Sequence, residues 1–167
     1  DRAGILTAGA PYFSAVRDAL LKAESHAVIL AWDFHSEIEL VRGKEEPGDG
    51  LPRQLGPFIT ALLERNANLH LHVLLWDYSM IYAAEREWKF LSQSLKNPHP
   101  RFHLHFDKQL PAGVSHHQKV VVIDDALAFA GGLDLSVWRW DSPAHRLHDP
   151  RRTDPDGAPY GPYHDLQ

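Results

Sequence analysis

Apolar residues recur along this chain at two periods, and the places where the period changes mark its elements. Phe13, Val16, Leu20 and Ala23 fall near one helical face, which predicts a helix over residues 11–24 with Pro11 in its first turn. A strand over 27–34 follows, with Val28, Ile29 and Leu30 as its buried part. Residues 43–52 are charged and carry glycines and prolines, so they read as a surface loop. Leu55, Phe58, Ile59, Leu62 and Leu63 then keep the spacing of an apolar helix stripe. A second strand is expected over 69–76, with His70 and His72 on one face. Ile81, Ala84, Trp88, Leu91 and Leu95 make a third helical stripe, with Ser79 as its N-cap and Asn97-Pro98-His99-Pro100 as its breaker. Residues 101–106 alternate again, with Phe102, Leu104 and Phe106 on the apolar side. Helices alternating with strands imply α/β units with parallel strands.

The stretch from Ser115 to Asp134 breaks that alternation. Val120 to Ile123 is a β-branched run, Asp124-Asp125-Ala126 is turn-prone, and an apolar return run starts at Leu127. This is a hairpin. His117 and Lys119 point to one side of its first strand; His116, Gln118 and Asp124 point to the other. A two-residue turn at Asp125-Ala126 pairs Asp124 with Leu127, which sets Lys119 opposite Gly132 and His117 opposite Asp134. An imidazole, an ammonium and a carboxylate then surround a glycine. Gly131-Gly132 in a strand signals close approach to the backbone, and a phosphate is one candidate for what approaches. Lysine supplies a fixed positive charge; histidine can attack or shuttle protons near neutral pH. Asp124 lies about 23 Å from His117 at the usual strand rise, on the other face, and reads as a turn residue.

The pattern His117-x-Lys119-x4-Asp124-x6-Gly131-Gly132 resembles the signature of the phospholipase D superfamily. The longer run, Ser-His-His-Gln-Lys through Phe-Ala-Gly-Gly-Leu-Asp-Leu, Arg139-Trp140-Asp141 and His145-Arg146-Leu147, is similar to the phospholipase D enzymes proper. The resemblance implies a mixed β-sheet flanked by helices on both faces. In that superfamily two such halves meet, and each supplies one motif. One histidine attacks and forms a phosphohistidine, the other serves the leaving alcohol, and both lysines bind phosphate. By resemblance His117 is the nucleophile and Lys119 the phosphate clamp. Asp165, in Tyr163-His164-Asp165, is the carboxylate that would hydrogen-bond the nucleophilic histidine. Gly132, Asp134, Arg139, Trp140 and His145 are expected near substrate, with Asp134 standing where many relatives have Asn. Asp124 and Gly131 are expected as structural parts of the motif, and His116 as structural.

Composition narrows the partners. The 167 residues suffice for one domain, read as a single half-domain over 1–167 with a loop-rich segment over 136–167. There is no cysteine, so thiolate and disulfide chemistry are excluded. The net charge of −5 argues against non-specific nucleic-acid binding. The pairs His70/His72 and His103/His105 invite a metal reading, but a closed site needs more ligands and no cysteine or third clustered carboxylate is evident. They read as polar sheet faces, and no metal or cofactor is expected, although some plant-type relatives use calcium. The resemblance implies phospholipid at a membrane surface as the substrate. The compartment stays open, and a soluble domain acting at that surface is expected. No second His-x-Lys occurs. The chain therefore reads as an N-terminal half that needs either the other half or a homodimer, with an apolar face that favours association.

Overall fold

The computed structural model describes residues 2–43, 47–76, 99–107 and 116–167. The expected helix over 81–95, its Ser79 cap and the loop over 108–114 lie outside these residues. Among them the order is α1 (Gly9–Leu20), β1 (His26–Ala31), α2 (Leu55–Arg65), β2 (His70–Trp76), β3 (Phe102–Asp107), β4 (Val120–Ile123) and β5 (Leu127–Ala130). The sheet order is β3-β2-β1-β4-β5. β1, β2 and β3 run parallel, while β4 is antiparallel to both β1 and β5. The α/β class expected from the periodicity, and the mixed sheet that the resemblance implies, are the observed architecture.

Register puts Ala27, Ile29, Ala31, Leu71, Val73, Leu75, Phe102, Val121 and Ile123 on one face, where all are buried. Phe13, Val16 and Leu20 of α1 and Phe58, Ile59, Leu62 and Leu63 of α2 join the same cluster. Each fully buried side chain of this size contributes roughly 1.5–3 kcal/mol of transfer free energy. The other face carries Val28, Leu30, Val122 and five histidines and is only partly covered.

α1 begins and ends earlier than its apolar spacing suggested. Gly9 starts it because a Cβ there would stand 2.1 Å from the Arg139 carbonyl oxygen. The free N–H of Ala10 in its first turn donates to the Asp141 carbonyl at 2.9 Å. Arg17, on the same helix, is buried among apolar residues. Its guanidinium donates to Asp49 and to the carbonyls of Leu51 and Pro52, and stacks 4.3 Å from the Phe58 ring centroid. That one side chain fastens the 47–52 loop to the core.

The hairpin is one residue out of the expected register. Ile123 pairs with Leu127, and Val120 with Ala130. The turn centres on Asp124 and Asp125, both at positive φ (50° and 54°), with the Ala126 N–H donating to Ile123 at 3.0 Å. Asp124 leaves the ladder because it has other partners. Its N–H donates to the His26 carbonyl, and its carboxylate accepts the backbone N–H groups of Glu24, Ser25 and His26 and the Ser25 hydroxyl. Burial alone would raise its pKa, but these donors outweigh it and hold the carboxyl below its usual range. The folded value thus lies under the unfolded one. The stabilisation is present above about pH 4 and lost as pH falls through the folded value. Asp124→Ala is expected to cost about 2–3 kcal/mol at neutral pH, read by urea unfolding, and to flatten the acid limb of stability against pH. An unchanged acid limb would contradict this account of the turn.

Candidate functional site

The C-terminal ends of β1 and β2 and the approach to β4 converge on His117. Trp32, the first residue after β1, lies edge-on to the His117 imidazole with ring centroids 6.0 Å apart. Trp76, at the end of β2, stacks on Trp32 at 6.2 Å. His117 is exposed. Two residues on, Lys119 is buried, its ammonium 5.9 Å from the Trp32 ring centroid and 3.0 Å from Asp134 Oδ2. Asp134 is buried as well, and its Oδ1 accepts the Trp32 N–H at 3.1 Å. One carboxylate thus ties β1, the β4 approach and the segment after β5 together.

The ammonium and carboxylate are close but out of line for a hydrogen bond. Among the described residues, Lys119 Nζ and Asp134 Oδ2 have no aligned partner. The contact is an ion pair with unused donor capacity on the lysine. Burial pushes the Asp134 carboxyl up, against the Lys119 charge that draws it down. The same carboxylate, with burial leading, raises the Tyr12 phenol. His116, next in the chain to His117, meets Asp107, the last residue of β3, at 3.2 Å.

The register shift moves the glycines. Gly131, not Gly132, faces Lys119, and its N–H donates to the Lys119 carbonyl at 3.3 Å. What approaches the glycines is protein. A Cβ at Gly131 would lie 2.3 Å from the Leu166 carbonyl oxygen, and one at Gly132 would lie 2.1 Å from the Asp165 carboxylate. Leu166 and Gln167 run alongside: the Leu166 carbonyl accepts the Gly132 N–H, and Gln167 pairs with Leu6 in both directions. The expected phosphate cradle over Gly132 is therefore filled by the chain itself. Asp165 accepts the Leu166 N–H at 2.8 Å, and among the described residues no hydrogen bond joins it to His117.

The expected substrate contacts at Arg139, Trp140 and His145 also belong to packing. Trp140 is 3% exposed and sits in the core, flanked by the guanidinium groups of Arg42 and Arg151 at 5.0 and 5.2 Å. Arg139 lies over Tyr163. His145 Nδ1–H donates to the Asp141 carboxylate at 3.0 Å, and its Nε2 meets His164 Nδ1 at 2.8 Å. Asp141, fully buried, also takes Arg152 at 2.7 Å and the N–H groups of Ser142 and Tyr163. Arg152 in turn donates to the carbonyls of Arg146, Leu147 and Tyr160. The 136–167 segment has no long element because this buried pair orders it instead.

Reading by residue type missed Trp32 as a wall of the site. Open α/β sheets present their sites at strand ends, and that rule points to Trp32, the residue that follows β1. Asp33 itself is engaged with the Ser136 hydroxyl and the Phe34 N–H.

The arrangement offers an exposed imidazole, a buried ammonium with donor capacity left and an aromatic wall. A family profile described as Phospholipase D matches residues 19–156. Phospholipase D2 of Bos taurus is 32% identical over 155 residues, covering 92% of this chain and 16% of that protein. Phospholipase D alpha 1 of Ricinus communis is 28% identical over 197 residues, covering 90% of this chain and 24% of that one. The chain thus spans a quarter or less of the length of these curated relatives. Its fold is similar to that of NucT from Helicobacter pylori, with a TM-score of 0.54 at 13% identity, covering 98% of this chain and 82% of that one. The profile spans most of the sequence and takes in the hairpin that carries His117 and Lys119, and this chain belongs to the phospholipase D family.

Proposed function

We propose that this chain is one half of a phospholipase D-type phosphodiesterase acting on glycerophospholipids at a membrane surface. The observation that carries the reading is the exposed His117 imidazole two residues from a buried Lys119 whose ammonium retains unpaired donor capacity among the described residues. An anionic phosphodiester is the ligand that completes such a donor. In the proposed reaction a His117 nitrogen attacks phosphorus, the bond from phosphorus to the head-group oxygen breaks, and that oxygen leaves as an alcohol after protonation. Water or an alcohol then attacks phosphorus, the phosphorus–nitrogen bond breaks, and the imidazole is regenerated. Water gives hydrolysis; an alcohol gives transphosphatidylation, the step a cardiolipin synthase-type relative would use.

Lys119 holds the phosphoryl oxygens as negative charge shifts onto them. The proton for the leaving alcohol needs a second acid, and general acid catalysis is worth about 10²–10⁴-fold. This chain holds one His-x-Lys. A second motif comes from another half or from a second copy in a dimer. Asp165 is assigned no step, since it rests on Gly132 and the Leu166 N–H.

Turnover of phosphatidylcholine micelles by the isolated chain, measured across protein concentration, tests the shared site. It is expected to rise faster than linearly and to vanish with His117→Ala. Turnover that survives that substitution would overturn the assignment, and cleavage of single-stranded DNA at low salt without lipid turnover would favour a nuclease.

Asp134 tempers the Lys119 charge in this account. Asp134→Asn keeps an acceptor for the Trp32 N–H but leaves the ammonium without its counter-charge. Removing one member of a buried pair costs about 3–5 kcal/mol, and the retained hydrogen bond reduces that here. The variant is expected to melt at a lower temperature than the parent and to recover more of it in phosphate or vanadate. Equal anion effects on parent and variant would mean that Lys119 does not bind anions.

A further inference from the structure

The two His-x-His pairs are absorbed by neither the core nor the candidate site, and folding brings them together. β2 and β3 are parallel neighbours in which His72 lies opposite His103 and Leu74 opposite His105. All four imidazoles leave the sheet face opposite the main core. His70 and His105 are exposed; His72 and His103 are partly covered. His70 Nδ1 lies 3.2 Å from His103 Nε2. The His103 ring stacks 4.4 Å from that of His72, which lies 6.5 Å from His105.

We propose that His70 and His103, with His72 beside them, form a surface site for a divalent transition-metal ion of the zinc, copper or nickel class. Metal–imidazole bonds are about 2.0–2.1 Å long, and two such bonds ending on nitrogens 3.2 Å apart meet at about 100°. That angle lies between those of tetrahedral and octahedral coordination. The His70 and His103 ring planes lie within 1° of each other with centroids 5.5 Å apart, so their nitrogens face one another as a hydrogen-bonded pair. Turning each ring about χ2, a broad torsion in histidine, aims both lone pairs at a common point without moving the strands.

No three of the described side chains already converge as a metal cage. The site is therefore open, with two protein ligands in place, His72 as the adjacent third and water for the rest. A purely imidazole donor set selects borderline transition metals over calcium or magnesium, which take oxygen ligands. The acidic group beside this patch, Asp125, is engaged with His26 at 3.2 Å, in the row next to His70. The patch sits at the starts of β2 and β3, whereas Trp32 and Trp76 mark the strand ends beside His117. Seven residues of β2 separate the two regions by about 20 Å. The ion takes no part in phosphodiester chemistry; it cross-links β2 to β3.

The experiment is titration of the untagged chain with zinc by calorimetry, and with copper(II) by electron paramagnetic resonance. One ion per chain is expected, with hyperfine structure from two or three imidazole nitrogens. His103→Asn and His70→Asn should each weaken binding by at least about tenfold with far-UV dichroism unchanged. His164→Asn, which removes the other close imidazole pair, should leave it unaltered. Absence of binding, or binding that survives both strand variants and falls only with His164→Asn, would overturn the proposal. Should His103→Asn unfold, His70→Asn at the exposed start of β2 still decides it.

Discussion

Everything around the candidate site hangs on one buried ion pair. Lys119 and Asp134 come from either side of the β4–β5 hairpin, and the carboxylate reaches across to the Trp32 N–H at the end of β1. Three segments are thereby fixed at one point. Two opposite charges without solvent are stable only while both are present, since either one alone would be an uncompensated buried charge. The pair therefore fixes the approach to β4, which presents His117. It also tunes the lysine. The off-axis contact neutralises the ammonium without using all of its donors, and burial keeps the carboxyl easier to protonate than a surface aspartate. In the proposed reaction the phosphodiester meets a lysine whose charge is shared rather than saturated.

The 136–167 segment repeats this device on a larger scale. Asp141 and Arg152 are both buried, and together they collect hydrogen bonds from an irregular chain that has no ladder of its own. The segment then returns through Asp165 and Leu166 against Gly131 and Gly132, and Gln167 pairs with Leu6. The two glycines serve chain-to-chain contact at the place where a ligand cradle was expected.

Those differences show what local pattern can and cannot specify. The strands and the hairpin were legible because their β-branched and alternating residues respond to burial that the sequence itself displays. The hairpin register was not legible, because Asp124 is drawn out of the ladder by N–H groups 98 to 100 residues away. The start of α1 was hidden for the same reason: Gly9 is needed against Arg139, which lies far along the chain. His117 and Lys119 stood out by residue type and spacing, and the fold sets both against Trp32. Trp140 was misplaced because its indole, an apt substrate platform by type, is covered by two arginines that the motif does not contain or border closely enough to reveal. The histidine pairs were visible, but only the parallel pairing of β2 with β3 makes them one patch.

The central claim is that His117 is the atom donor of a covalent intermediate beside Lys119. The most direct measurement is to incubate the chain with a short-chain phosphatidylcholine, quench it in base to preserve phosphoramidate bonds, and map the adduct by peptide mass spectrometry. A phosphatidyl group on His117, absent from Lys119→Met, is the predicted result. An adduct on any other residue, or equal labelling when Lys119 is replaced, would contradict the account.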